Sequence, residues 1–116
     1  MKLTPKIVQK TWGYESIFYN ELYCAKVLTI NPNQKTSYHY HPIKHETITV
    51  VAGIANININ GKNNIVEVGQ SVLLEPNTPH YIHNISSELP LLLAEASTKD
   101  DPSDSIRIPK CPNQKI

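Results

Sequence analysis

Short runs of β-branched and aromatic residues, separated by turn residues, follow one another from Tyr14 to Ser97. Residues 54–60 show the clearest alternation: Ile57 and Ile59 face one side of the predicted strand, and asparagines face the other. Turn residues recur about every ten positions, a spacing that is typical of β-sandwiches and barrels. No segment predicts a helix. The pattern therefore predicts an all-β fold.

The composition changes near residue 97 and divides the chain into a β-rich core and a polar arm. We expect the core to span residues 10–97 and the C-terminal arm residues 98–116, with a short regular segment near residues 106–108. Three aspartates of the arm are interpreted as a solvated acidic turn: Asp100, Asp101 and Asp104. A chain of 116 residues can bury roughly two thirds of its unfolded surface around one core, so residues 1–116 are predicted to form a single domain.

Charge and cysteine content exclude several classes of function. Eleven Lys and Arg residues stand against 10 Asp and Glu residues, so we expect no basic surface for nucleic acid. No apolar run approaches the ~20 residues of a membrane helix, and the first residues do not resemble a signal peptide. Cys24 and Cys111 are far apart in the chain and are expected to be reduced thiols. These features predict a cytoplasmic protein that does not bind membranes.

Three histidines and one glutamate form a pattern that suits a metal ion. His39 and His41 are two residues apart on a predicted strand, so both side chains share one face while Tyr40 points away. Glu46 follows closely, and His80 lies further along the chain. Three neutral imidazoles and one carboxylate fit a divalent Mn, Fe, Ni or Zn ion and leave positions open for a substrate. Unrelated histidines could give the same spacing by chance, so the residues alone make this a hypothesis.

The residues around this pattern resemble the two motifs of the cupin superfamily. Residues 33–53 follow G(X)5HXH(X)3,4E(X)6G, with Asn33 in place of the first glycine. Residues 69–84 follow G(X)5PXG(X)2H(X)3N, with Glu75 and Asn77 in the proline and glycine positions. The resemblance implies a single-domain cupin β-barrel, or jelly roll, that holds one divalent metal ion. The ligands that it implies are His39, His41, Glu46 and His80.

Further segments narrow the resemblance to small mannose-6-phosphate-isomerase-like cupins. Residues 10–15, 26–34 and 89–95 are similar to the C-terminal isomerase domain of type II phosphomannose isomerases. Those enzymes have arginine where this chain has Lys44, and the additional histidines of their metal-binding block are missing here. This difference argues against mannose 6-phosphate itself as the substrate.

The resemblance implies an isomerase or epimerase that acts on a small sugar or sugar phosphate. In such an enzyme the metal binds two adjacent substrate oxygens, and a base moves a proton through an enediol. Two alternatives stay open: a metal-dependent dioxygenase, whose family ligand set is the same, and a non-enzymatic module that binds a sugar or a small regulator in the same cavity. The resemblance also implies a homodimer.

Strand alternation adds candidates on the predicted metal-binding face. Lys35 and Ser37 share that face with His39 and His41 if the strand is regular. Lys35 is therefore a candidate catalytic and substrate-binding residue, and Ser37 a candidate substrate-binding residue. The alternative for Lys35 is a solvated side chain near the start of a strand, since lysine is rarely buried without a partner.

Two more residues are candidates for direct roles in the reaction. Glu95 lies on the inward face of the last predicted core strand, where it would act as a general base or as a hydrogen-bonded structural acid. Arg107 is the sole arginine and would form a salt bridge or bind a phosphate group. His83 is expected to face outwards. His45 is expected to face away from Glu46, and it becomes an alternative metal ligand only if a loop there turns it inwards.

Overall fold

A computed structural model describes residues 1–109 as a two-layer all-β fold. This part of the chain contains a single 3-10 helix, Pro102–Asp104, and no helix long and apolar enough to cross a membrane. Its strands are β1 (Lys6–Lys10), β2 (Gly13–Asn20), β3 (Cys24–Ile30), β4 (His39–Tyr40), β5 (Glu46–Ala52), β6 (Ala55–Ile59), β7 (Lys62–Val66), β8 (Ser71–Leu74), β9 (His80–Asn84), β10 (Leu91–Ser97) and β11 (Ile106–Arg107).

The strands form two antiparallel sheets that face each other. The first sheet has the order β1-β2-β3-β10-β5-β8, and the second has the order β11-β4-β9-β6-β7. From β8 onwards, each strand lies in the opposite sheet from the strand before it, as in a jelly roll. The predicted all-β fold class is confirmed. The described strands pair in two separate sheets and do not form one continuous, closed barrel.

The core lies between the two sheets and follows the alternation of each strand. On β3 and β10 every second side chain is buried, which places Leu28 and Ile30 opposite Leu91 and Leu93. Ile57 projects into the same core from β6, as its alternation with asparagines predicted. The core fills one end of the space between the sheets and leaves the other end to polar side chains.

Residues 98–108, which we call the C-terminal strap, run across that polar end. Strand β11 pairs with β4, and the amide of Ile108 donates a hydrogen bond to the carbonyl oxygen of Tyr38. Asp100 and Asn20 exchange two hydrogen bonds, of 2.8 and 2.9 Å. The short strand at residues 106–107 matches the segment predicted in the arm. Cys24 is a buried free thiol, whereas Cys111 and the end of the arm lie outside the described residues.

The polypeptide backbone comes unusually close to itself at Gly13, which the sequence analysis did not single out. Gly13 has φ of +150°, and a Cβ atom there would overlap the carbonyl oxygen of Thr29 on the neighbouring strand. Only a residue without a Cβ atom allows β2 to pair with β3 at this point.

We expect Gly13→Ala to lower the free energy of unfolding by roughly 3 kcal/mol or more, because the backbone of β2 must move away from β3. Gly69→Ala is the matched control: φ is +85° and nothing lies within 4 Å of the added atom. The control should cost only about 1 kcal/mol. Equal losses for the two variants in urea denaturation would contradict the close approach at Gly13.

Candidate metal centre

Three histidine side chains converge at the polar end of the space between the sheets. His39 on β4 faces His80 on β9 directly in the strand register, and His41 follows at the end of β4. One ring nitrogen from each histidine lies within 4.8 Å of the other two. The structure therefore brings together three of the four predicted ligands as a compact group.

The second ring nitrogen of each histidine is already engaged. Each Nδ1 lies 2.8 Å from a backbone carbonyl oxygen, which belongs to Ser37 for His39, to Asp104 for His41 and to Thr78 for His80. Because a carbonyl oxygen only accepts hydrogen bonds, each Nδ1 carries the hydrogen and donates it. A neutral ring in this tautomer presents a lone pair at Nε2, which is the arrangement of histidine in metal sites.

Burial keeps these rings neutral. It lowers the pKa of His39 to about 3 and that of His80 to about 4. The pKa of His41 is also lowered, first by burial and then by the nearby charge of Lys44. All three imidazoles are therefore unprotonated at neutral pH, as metal ligands must be.

Glu46 brings a carboxylate oxygen to the same place. Its Oε2 lies 3.3 Å from Nε2 of His41 and is buried without a hydrogen-bond donor. Burial, and then the charge of Glu95, raise the pKa of Glu46 to about 8. An orphaned oxygen beside lone pairs of imidazole nitrogens is an arrangement that a bound cation would stabilise. The donor set present thus fits a metal ion.

Two buried lysines, Lys26 and Lys44, lie next to this group. Neither was predicted from the sequence to be a site residue. The Nζ atom of Lys44 is 2.9 Å from Oδ1 of Asp100 and 3.2 Å from Oε2 of Glu95. The Nζ atom of Lys26 lies 3.5 Å from Asp100, 3.8 Å from Glu95 and 3.4 Å from Glu15. Burial alone would lower the pKa of each lysine, but these carboxylates raise it, so both remain charged.

The net charge of this cluster suits a divalent cation. Its members are Glu15, Lys26, Lys44, Glu46, Glu95 and Asp100. Four carboxyl groups against two ammonium groups leave two negative charges when all are ionised. One divalent cation would neutralise them, and without it Glu46 keeps its proton, in agreement with its raised pKa.

The alternation of residues along β3 could have identified Lys26 as a buried residue. Residues 24, 26, 28 and 30 share one face of β3, and the other three of these residues are buried and apolar. A lysine at such a position needs buried carboxylates around it. Asp100 supplies one of them, so the interpretation of this residue as part of a solvated turn is wrong: its side chain is only 21% exposed.

The structure corrects the predicted position of Lys35. His39 pairs with His80, whereas Lys35 pairs with His83. Lys35 is four positions from His39, but His83 is only three positions from His80, so the regular one-to-one pairing is interrupted between them. This irregularity turns Lys35 to the opposite face of the sheet, where its Nζ lies 5.4 Å from the ring centroid of Tyr81. The regular alternation that placed Lys35 beside the histidines does not hold here.

The other predicted residues lie at different distances from the histidines. Ser37 contacts His39 through its carbonyl oxygen, and its hydroxyl lies 3.3 Å from Nδ1 of that ring. Glu95 is buried on the inward face of β10. Arg107 on β11 is exposed and faces His39 across the strand pair. His45 is exposed and lies outside the group of three histidines, where it remains a predicted alternative ligand.

Comparison with known proteins agrees with this geometry. Residues 26–96 match the family model described as "Cupin domain". The chain is 35% identical over 85 residues to a mannose-1-phosphate guanylyltransferase of Salmonella montevideo; the match covers 71% of this chain but only 18% of that protein.

Solved structures share the fold at low sequence identity. The capsular polysaccharide assembling protein CapF of Staphylococcus aureus superposes with a TM-score of 0.77 at 16% identity, over 93% of this chain and 32% of that chain. A sugar phosphate isomerase of the cupin superfamily from Silicibacter pomeroyi gives 0.65 at 14% identity, over 74% and 60% of the two chains.

The raised pKa of Glu46 predicts how stability depends on pH without metal. The unfolded chain releases this proton near pH 4.5, whereas the folded chain keeps it up to about pH 8. Stability from this group is therefore complete below pH 4.5 and decreases as the pH rises towards 8, by roughly 1 kcal/mol per pH unit.

Urea denaturation of chelator-treated protein at several pH values measures this effect, with Glu46→Gln as the variant that cannot ionise. The lowered pKa values of the histidines make stability increase with pH in the acidic range, and they do so in both proteins. The difference in the free energy of unfolding between wild type and variant therefore reports Glu46. We expect the wild type to lose stability relative to Glu46→Gln between pH 5 and 8. Parallel profiles would show that Glu46 is already ionised in the folded chain.

Proposed function

The chain belongs to the cupin domain family, and from this premise we propose that it is a metal-dependent isomerase or epimerase of a small sugar or sugar phosphate. The observation that carries the metal dependence is the group of three neutral histidines, with the buried Glu46 oxygen that lacks a hydrogen-bond donor lying 3.3 Å from Nε2 of His41. The sugar-related names of the relatives support the substrate class. A cytoplasmic location and a homodimer stay predictions from the sequence.

In this proposal His39, His41, His80 and Glu46 hold one divalent ion, for which Mn, Zn, Fe and Ni are the candidates. The ion would supply Lewis acidity, which makes the hydrogen beside a substrate carbonyl easier to remove. The protein contributes neutral rings in a fixed tautomer and the buried carboxyl group of Glu46, which would lose its proton when the ion binds.

Glu95 is the proposed base in this mechanism. Its carboxylate lies inside the same space and accepts hydrogen bonds of 3.2 Å from Lys44 and from the hydroxyl of Ser97, both on Oε2. These donors fix the orientation of the carboxylate. Glu95 would take the proton from the hydroxyl-bearing carbon next to the carbonyl group and return it to the carbonyl carbon. The hydroxyl proton would pass to the carbonyl oxygen, and an aldose and a ketose would thereby interconvert.

Arg107 is the proposed contact for an anionic group on the substrate. The ammonium groups of Lys26 and Lys44 are each surrounded by carboxylates, so neither is available for a phosphate. Arg107 is exposed, faces His39 across the strand pair, and has no ion pair among the described residues. A guanidinium group at the rim suits a phosphate oxygen.

Metal analysis by mass spectrometry tests the first part of the proposal. We expect close to one equivalent of metal in protein purified without chelator or His tag, and a loss of most of it in His80→Ala. The matched control is His83→Ala, because His83 lies on the other face of β9 and contacts Lys35. Metal-free wild type after reconstitution, or equal metal in the two variants, would contradict the proposed ligand set.

Proton exchange tests the reaction. Incubation with aldoses, ketoses and their phosphates in D2O should place deuterium next to the carbonyl carbon, which NMR detects. Glu95→Gln should retain its metal and lower the exchange rate at least about 100-fold, since general-base catalysis commonly contributes that much. Metal-dependent oxygen uptake without exchange would favour the dioxygenase alternative, and tight sugar binding without turnover would favour a binding protein.

A further inference from the structure

The C-terminal strap, residues 98–108, contacts the metal centre although it lies beyond the residues 26–96 that match the cupin model. Two of its aspartates make these contacts, and they act on different ligands. Asp104 contacts His41 and the segment that follows it, whereas Asp100 contacts the lysine closest to Glu46.

Asp104 makes three contacts with residues 41–44. Its carbonyl oxygen accepts the hydrogen bond from Nδ1 of His41 at 2.8 Å. Its carboxylate accepts hydrogen bonds from the backbone amides of Ile43 and Lys44, at 3.0 and 2.9 Å. These bonds fix the tautomer of His41 and close the turn that leads from His41 to Glu46, so two proposed ligands depend on one strap residue.

Asp100 determines which carboxylate the Lys44 ammonium group approaches. Nζ of Lys44 lies 2.9 Å from Asp100 but 3.6 Å from Oε2 of Glu46, the oxygen that lacks a hydrogen-bond donor. Without the Asp100 carboxylate, the ammonium group would move towards Glu46 and Glu95. It would then occupy the Glu46 oxygen that a metal ion needs, because a buried ammonium group seeks a carboxylate partner.

We propose that Asp100 and Asp104 are positioning residues of the metal centre: Asp104 fixes His41, and Asp100 holds the Lys44 ammonium group away from Glu46. The inference rests on the proposed metal function and adds residues that lie outside the matched family region. It makes the strap a part of the site and assigns the buried ion pair between Lys44 and Asp100 a role in metal affinity.

Calorimetric titration with Co²⁺ tests the role of Asp100. We expect Asp100→Asn to weaken Co²⁺ binding about 10-fold or more, as loss of outer-sphere partners does at other metal sites. Adding Lys44→Met to this variant should restore most of the affinity, because the competing ammonium group is removed. A double variant as weak as Asp100→Asn alone would overturn the competition between Lys44 and the metal.

The visible spectrum of bound Co²⁺ tests the role of Asp104, because it reports the ligand geometry and not the stability of the fold. Asp104→Ala keeps the backbone carbonyl that contacts His41 but removes the carboxylate that anchors it to the amides of residues 43 and 44. This variant should therefore alter the spectrum and lower the affinity about 10-fold. Asp104→Asn keeps an acceptor oxygen and should recover part of both. Lys99→Ala is the control, since this exposed strap residue forms its ion pair with the exposed Glu21.

The two proposals fail in different ways. If the wild-type chain binds no Co²⁺, the metal function is wrong and this inference falls with it. If the wild type binds Co²⁺ and the Asp100 and Asp104 variants bind it equally well with unchanged spectra, the metal function stands and only the strap inference is overturned.

Discussion

The need to neutralise buried charge governs the arrangement of this protein more than any other interaction. Four carboxyl groups and two ammonium groups meet between the two sheets, and an unpaired ion there would cost several kcal/mol. Each ion pair joins separate elements: Lys26 links β3 to β2, β10 and the strap, and Lys44 links the segment before β5 to β10 and the strap. The first sheet and the strap are therefore joined by one cluster of charges, and the strap connects this cluster to the second sheet through the pairing of β11 with β4.

Much of this arrangement could be predicted from the sequence, because it depends on alternation along regular strands. The all-β class, the inward face of Glu95 and the convergence of His39 and His80 follow from side-chain periodicity and from the cupin motifs. Lys35 could not be placed in this way, since the irregular pairing between β4 and β9 leaves no mark in the residue pattern. Asp100 was also missed, because its partner Lys44 is 56 residues away.

The apolar core and the polar end have different tasks in the same fold. The residues that fill the core come from both sheets and specify how the layers pack, whereas the polar end accepts groups that a core would exclude. A fold with two such ends can keep one end constant while the chemistry of the other changes. The chain shares its architecture with structures that are only 14–16% identical to it.

The contact between His41 and Asp104 joins residues that are 63 positions apart in the chain, and Asn20 and Asp100 are 80 apart. During synthesis on the ribosome, the carbonyl oxygens that fix the tautomers of His39 and His80 are already present, because each lies two residues before its histidine. The partner of His41 is added 63 residues after it. His41 is therefore the last of the three histidines to reach its final geometry.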